Sequence, residues 1–149
     1  MATPGTLKLR AGDVEDLTVM SSMLQDAVTQ VGDLAWLAEQ RRFALLVSRY
    51  CWECCKGGPV GQRVLAGLHF EFVRGVKSIG IPRQHRHATL ELLSLRCEPL
   101  ADGGVAVSLD FAGGAELRIE ADRLAAYLAD RPDTLHAAPR PEHKLEAGG

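Results

Sequence analysis

The chain has 149 residues, 46% of them hydrophobic, and a formal net charge of −2 at pH 7, values that fit one folded domain. The near-neutral charge argues against a dedicated nucleic-acid-binding protein, which usually has a basic domain. The N-terminus lacks the pattern of a signal peptide, and no stretch approaches the roughly 20 apolar residues that span a bilayer. We therefore expect a cytoplasmic protein with no transmembrane segment, no nucleic-acid partner and reduced cysteines.

A short strand and a helix are predicted before residue 32. Leu7 to Arg10 alternate apolar and polar side chains, which is typical of a strand. Asp13 then stands where a helix N-cap residue is expected, and apolar residues follow at spacings of three and four. The pattern predicts a helix from about Val14 to Ala27 with one apolar face.

From Leu34 onward the apolar residues recur at a spacing of two, which predicts strands. The seven predicted strands cover residues 33–37, 42–51, 62–72, 76–81, 89–98, 105–111 and 115–121. The last two form the clearest hairpin, because Gly113 and Gly114 suit the positive φ that a tight turn requires.

The C-terminal part of the sequence predicts a helix and then a tail. Asp122 stands at a helix N-cap, and Pro132 ends the helix. The apolar face of this predicted helix consists of Leu124, Tyr127 and Leu128. We therefore predict a single domain over residues 1–132 and a flexible tail over residues 133–149, which are rich in proline, alanine and charge.

The order of these elements predicts an α+β fold built mostly of antiparallel strands. Seven sequential antiparallel strands closed by a C-terminal helix is the element order of a pleckstrin-homology-like barrel, to which the N-terminal strand and helix would be additions. The alternative is an open antiparallel sheet with helices packed on one face.

Three cysteines lie close together in the chain: Cys51, Cys54 and Cys55. Two thiolates in a C-x-x-C spacing can hold a metal from one turn, and His69, His85 or His87 could complete a tetrahedral site. No second ligand pair follows, and the surroundings are not the βαβ unit that normally carries a redox C-x-x-C. We therefore predict no metal site and no cofactor, and keep a metal or redox role for these cysteines as an alternative.

Two neighbouring predicted turns carry a cluster of basic side chains. Its members are Arg74, Lys77, Arg83, His85, Arg86 and His87. If the turns lie together, the cluster would attract phosphate, an acidic protein or anionic lipid headgroups. No aromatic residues interleave these positions, so stacking with nucleic-acid bases is not indicated. These six residues are the candidate ligand-binding site, and a solvated charged face is the alternative.

No catalytic residue is predicted. The glycine-rich stretch at 57–61 lacks the following Lys-Ser/Thr of a phosphate loop, and no serine has a G-x-S-x-G context. We expect a non-catalytic interaction or scaffold domain that binds a protein partner or a second copy of itself, since sheet edges often bind by strand addition. The alternatives are an anion, phosphate or lipid-headgroup binder, a metal or redox protein, and an enzyme with dispersed residues.

Four blocks of the sequence are similar to a known family: residues 17–50, 66–70, 111–115 and 140–143. In these blocks the chain resembles a family of short uncharacterised bacterial proteins, mostly alphaproteobacterial, that is classed as a domain of unknown function. The resemblance spans nearly the whole chain. It implies a bacterial cytosolic origin, and it implies no activity, substrate or catalytic residue.

Overall fold

The computed structural model describes residues 5–54, 60–139 and 141. Within these ranges the chain forms ten β-strands and one α-helix, α1, which covers Val14–Met23. The strands are β1 (Lys8–Ala11), β2 (Val28–Gln30), β3 (Leu34–Leu37), β4 (Arg42–Tyr50), β5 (Val60–Phe70), β6 (Val73–Ile79), β7 (Thr89–Pro99), β8 (Val105–Phe111), β9 (Glu116–Ala121) and β10 (Ala126–Pro139). No helix in the described ranges is long and apolar enough to cross a membrane.

The strands form one open antiparallel sheet. Their order is β1-β10-β5-β4-β2-β7-β8-β9-β6, and β3 pairs with the N-terminal part of β4. Strands β3 and β6 therefore each have one edge that no other described strand covers.

Alternate strand residues and one face of α1 form the apolar core. On β4, for example, Phe43 and Leu45 are buried while Ala44 between them is partly exposed, as the period of a strand requires. Leu128 of β10 and Ile119 of β9 belong to the same core cluster. Because these strands lie near opposite ends of the strand order, the sheet must curl around its core.

The predicted helix after Asp122 is wrong, because this part of the chain forms β10 between β1 and β5. Leu124 and Leu128 are four residues apart, and that spacing fits a helix and a strand equally well. Burial along β10 alternates, with Ala126, Leu128 and Asp130 buried. Residues 133–139, which the sequence assigns to a tail, belong to β10, while 140 and 142–149 lie outside the described residues.

The predicted fold class is also wrong. The described part of the chain forms an open sheet of ten strands, mostly β rather than α+β, and not a seven-stranded pleckstrin-homology-like barrel closed by a helix. The alternative, an open antiparallel sheet with helices on one face, is right about the open antiparallel sheet and wrong about the helices, since α1 is the one α-helix in the described ranges.

The N-terminal helix is confirmed but ends earlier than expected. Asp26 has a left-handed φ of 65°, and its N–H donates to the carbonyl of Leu92 at 3.0 Å. The N–H of Leu92 in turn donates to the carbonyl of Ala27 at 2.7 Å. The backbone of these residues therefore pairs with β7 instead of extending α1, and this pairing leads into β2, a strand that the sequence did not predict.

Arg49 and Asp130 form a buried ion pair at one end of the core. Nε and Nη2 of Arg49 donate to the two carboxylate oxygens of Asp130 at 2.8 and 2.6 Å, and both side chains are 0% exposed. Burial lowers the pKa of Arg49, but hydrogen bonds to Asp130 and Glu53 outweigh it and leave the pKa raised. Asp130 also accepts from the N–H of Leu7 at 2.9 Å. The pair thus ties β4 and β10 to the start of β1.

We expect Asp130→Ala to lower the free energy of unfolding by roughly 3 kcal/mol, the low end for breaking a buried ion pair, because the buried guanidinium of Arg49 keeps its hydrogen bonds to Glu53. The control, Asp133→Ala, removes an exposed carboxylate from the same strand and should change stability by less than about 0.5 kcal/mol. Urea denaturation measures both variants. Similar losses in the two variants would contradict a special role for the buried pair.

Candidate functional site

A cavity of about 470 Å³ lies between the uncovered edges of β3 and β6. This volume is in the range of roughly 300–1,000 Å³ that is usual for ligand pockets. Its apolar lining includes Leu34 and Trp36 of β3, Phe43 of β4, Val76 of β6 and Leu117 of β9. Its other lining comes from residues 31–32, from Lys77 and Ser78, and from the loop after β6. We call this cavity the edge pocket.

The two edges are joined at one end by a corner, formed by Arg41, residues 72–74 and Asp122. The N–H of Val73 donates to the carbonyl of Arg41 at 2.9 Å. Arg41 and Phe72 have positive φ values of 54° and 59°, a conformation that non-glycine residues seldom adopt. The guanidinium of Arg123 lies 4.1 Å from the centroid of the Phe72 ring and adds a cation–π contact. This corner fixes where β6 departs from the edge of β3 and β4.

Arg74, one of the predicted ligand-binding residues, belongs to the corner and does not line the edge pocket. Its Nε donates to Asp122 at 2.7 Å and its Nη1 to Asp102 at 2.8 Å. Arg41 donates to the other oxygen of Asp122 at 2.5 Å. The hydrogen bonds from Arg74 and then from Arg41 lower the pKa of Asp122. The charge of Arg74 is therefore already neutralised by carboxylates of the chain.

Lys77 borders the edge pocket, but its side chain points away from it. Side chains alternate along β6, so that Val76 and Ser78 lie on the core face and Lys77 on the opposite face. In agreement, the Lys77 Nζ lies 3.8 Å from a carboxylate oxygen of Glu120, which is also on that outer face. Lys77 therefore contributes backbone rather than charge to the lining of the pocket.

Arg83 and Arg86 are the cationic side chains at the edge pocket. Both are exposed, and among the described residues neither guanidinium pairs with a carboxylate. Ser78 adds a hydroxyl on the inner face of β6 that forms no hydrogen bond within the described ranges. Polar groups available to a ligand therefore stand beside an apolar cavity.

The loop that carries these arginines is held by backbone hydrogen bonds. The N–H of Arg83 donates to Ile81 at 2.8 Å, and that of Ala88 donates to His85 at 3.0 Å. The N–H of Gly32 donates to the carbonyl of Arg86 at 2.7 Å. A Cβ on Gly32 would lie 3.1 Å from this oxygen, so glycine permits the close approach. The backbone of the loop is thus fixed without a ligand.

The structure separates the six basic residues that the sequence groups together. Arg83 and Arg86 reach the edge pocket, Lys77 borders it with backbone, and Arg74 lies in the corner. His85 and His87 are exposed on the loop and do not line the pocket. The apolar lining residues and Ser78 were missed, and no sequence signal marks them, because the pocket forms between edges far apart in the chain.

Cys51 is buried beside the Arg49 ion pair. Its Sγ lies 3.8 Å from Oε2 of Glu53 and 4.0 Å from Nη2 of Arg49. The side chain of Cys54 and all of Cys55 lie outside the described residues. In the part of the chain that is described, no group of three or more His, Cys, Asp or Glu is arranged to hold a metal. The metal or redox role of the cysteines stays an alternative prediction.

His69 lies on β5, apart from the cysteines. Its Nδ1 is 2.5 Å from Oε2 of Glu71, and its ring stacks on Tyr127 with the centroids 4.9 Å apart. Glu71 also accepts a hydrogen bond from Arg42 at 2.6 Å. His69 is therefore engaged with surface neighbours on the sheet and does not line the edge pocket.

We expect the corner to lose stability in acid. Because the pKa of Asp122 is lowered in the folded state, its contribution is complete above the unfolded-state pKa of about 3.9 and is lost as pH falls through the folded-state pKa. Asp122→Asn should therefore show a shallower fall in urea midpoint than the unmodified chain between about pH 5 and pH 2. Asp133→Asn is the control, and an unchanged acid slope in Asp122→Asn would contradict this account.

Comparison with known proteins identifies the family. Residues 7–143 match the family described as protein of unknown function (DUF2948), which confirms the resemblance to a domain-of-unknown-function family. No curated protein and no solved structure showed a significant match. Since the match covers most of the chain, including the corner and the edge pocket, this protein belongs to the DUF2948 family.

Proposed function

We propose that this protein is a non-catalytic binding domain that holds an anionic ligand in the edge pocket. The proposal is carried by one observation, the position of Arg83 and Arg86 at the cavity without a described carboxylate partner. A guanidinium stays charged at physiological pH, and its N–H donors match the oxygens of carboxylates and phosphates. Two such groups beside a concave surface would attract anions and orient them.

The loop between β6 and β7 supports this proposal. Backbone hydrogen bonds within the loop and from Gly32 hold its backbone at Arg86. A loop that is already ordered has less conformational entropy to lose when a ligand binds. Binding would then need to order only the exposed arginine side chains.

The chemistry of the described lining supports binding more than catalysis. Ser78 carries the hydroxyl of the pocket, and its neighbours in the lining are apolar residues, Lys77 and the two arginines. A serine nucleophile needs an adjacent general base, and an arginine remains protonated. The same groups are well suited to hold an anion by hydrogen bonds and charge.

A second candidate is a protein-interaction domain that takes an extended peptide at the same edges. Strands β3 and β6 each leave one edge uncovered by the described strands, and such edges bind peptides by strand addition. Strand β3 has only four residues, so it offers a peptide few backbone partners. The arginines and the cavity therefore favour a small-molecule anion over a peptide.

Binding of 8-anilinonaphthalene-1-sulfonate, a fluorescent anion with an apolar body, tests the proposed function. We expect one saturable site, and we expect the double variant R83Q/R86Q to weaken binding at least about tenfold, since hydrogen bonds to charged groups are each worth roughly 1.5–3 kcal/mol. Binding should also weaken with added salt, which screens exposed charges. Fluorescence titration at several salt concentrations measures both effects.

The matched control is K8Q/R10Q, which removes the same total charge from β1. It should bind the probe as the unmodified chain does. Equal binding by R83Q/R86Q and the unmodified chain would contradict the proposal, and so would equal losses in the two double variants, because net charge alone would then explain the effect. Thermal melting confirms that each variant is folded.

A further inference from the structure

The inner wall of the edge pocket is apolar. Phe43 and Leu117 are buried members of the core, and Leu34 and Val76 pack against that core while also lining the pocket. An apolar group that displaces water from such a wall is favoured by the hydrophobic effect. A small inorganic anion bound to the arginines would leave this wall in contact with water.

Trp36 extends the apolar wall to the surface. The residue is 38% exposed, lines the pocket, and lies across from Phe43 in the pairing of β3 with β4. An aromatic ring that is partly exposed at a concave site gains much apolar contact when a ligand covers it. This position therefore suits the apolar part of a ligand rather than its charge.

The pocket is polar at one end and apolar at the other. Strand β6 begins at the corner with Val73 and continues past Val76 to Ser78 and the arginine loop, while β3 runs from the loop end towards Arg41. Gly32, just before β3, contacts Arg86 at the loop end. Trp36 and Phe43 consequently lie nearer the corner, and the hydroxyl and guanidinium groups lie at the opposite end.

We propose that the ligand of the edge pocket is an amphipathic organic anion. Its carboxylate or phosphate would be bound by Arg83, Arg86 and Ser78, and its aliphatic or aromatic body would lie along Trp36 and Phe43. This inference rests on the proposed function, because it names the class of anion that the same site takes. The apolar lining of the pocket and the charge at one end together select this class over an inorganic anion or a neutral apolar molecule.

Isothermal titration of the full chain with four probes tests the inference: sodium decanoate below its micelle concentration, acetate, inorganic phosphate and decyltrimethylammonium. Decanoate should bind with one-to-one stoichiometry and at least about 100-fold more tightly than acetate, since each fully buried methylene improves binding about fourfold. The cationic probe has the same chain length and should bind at least about tenfold more weakly than decanoate, because its charge opposes the arginines.

Variants assign the two ends of the ligand. R83Q/R86Q should weaken decanoate at least about tenfold, K8Q/R10Q should not, and W36A should weaken decanoate while leaving any weak acetate binding unchanged. If acetate or phosphate binds as tightly as decanoate and R83Q/R86Q loses this binding, the amphipathic class of ligand is overturned, while the proposed anion site stands. Equal binding of decanoate and the cationic probe would overturn charge selection. If none of the anions binds, both this inference and the proposed function fail.

Discussion

The hydrogen bond from the N–H of Val73 to the carbonyl of Arg41 sets the geometry on which the site depends. It brings the last strand of the sheet order, β6, against the edge formed by β3 and β4. Beyond this point no backbone pairing joins β3 to β6 in the described residues, and the edge pocket occupies the space between them. Asp122 supports the corner, because it accepts hydrogen bonds from both Arg41 and Arg74.

The chain neutralises several of its arginines with its own carboxylates. Arg49 is paired with Asp130 inside the protein, and Arg96 donates to Asp110 at 2.5 and 3.0 Å on the surface. Arg74 is paired in the same way in the corner. Arg83 and Arg86 differ from these residues, since the described chain supplies them with no carboxylate. The position of these two arginines at a cavity, rather than a simple excess of basic residues, distinguishes the edge pocket.

Local patterns in the sequence account for much of the sheet. The hairpin of β8 and β9 is confirmed: the alternation on β9 is strict, and both turn glycines have positive φ, 83° for Gly113 and 86° for Gly114. Strand β10 was mistaken for a helix because Leu124 and Leu128 fit either period. Strand β10 pairs with β5 and β1, which lie more than 50 residues away in the chain. Local periodicity carries no information on such distant pairing.

The sequence predicted only part of the candidate site, because local patterns carry no information on contacts between distant segments. A run of basic residues is visible in the sequence, so Arg83 and Arg86 were among the predicted residues. Asp102 and Asp122 determine that Arg74 is already paired. The register of β6 with β9 determines which basic side chains on β6 face the pocket. The apolar wall could not be found from local patterns, since Trp36 and Val76 come from separate edges that only the curl of the sheet brings together.

The most direct test of the account is the location of a bound amphipathic anion in the folded chain. Chemical-shift mapping of ¹⁵N-labelled protein titrated with sodium decanoate gives this location residue by residue. The account predicts that the largest changes occur at the amides of Gly32, Val76, Ser78 and Arg86 and at the indole of Trp36. Changes centred on β1 and β10, or spread evenly over the sheet, would contradict it.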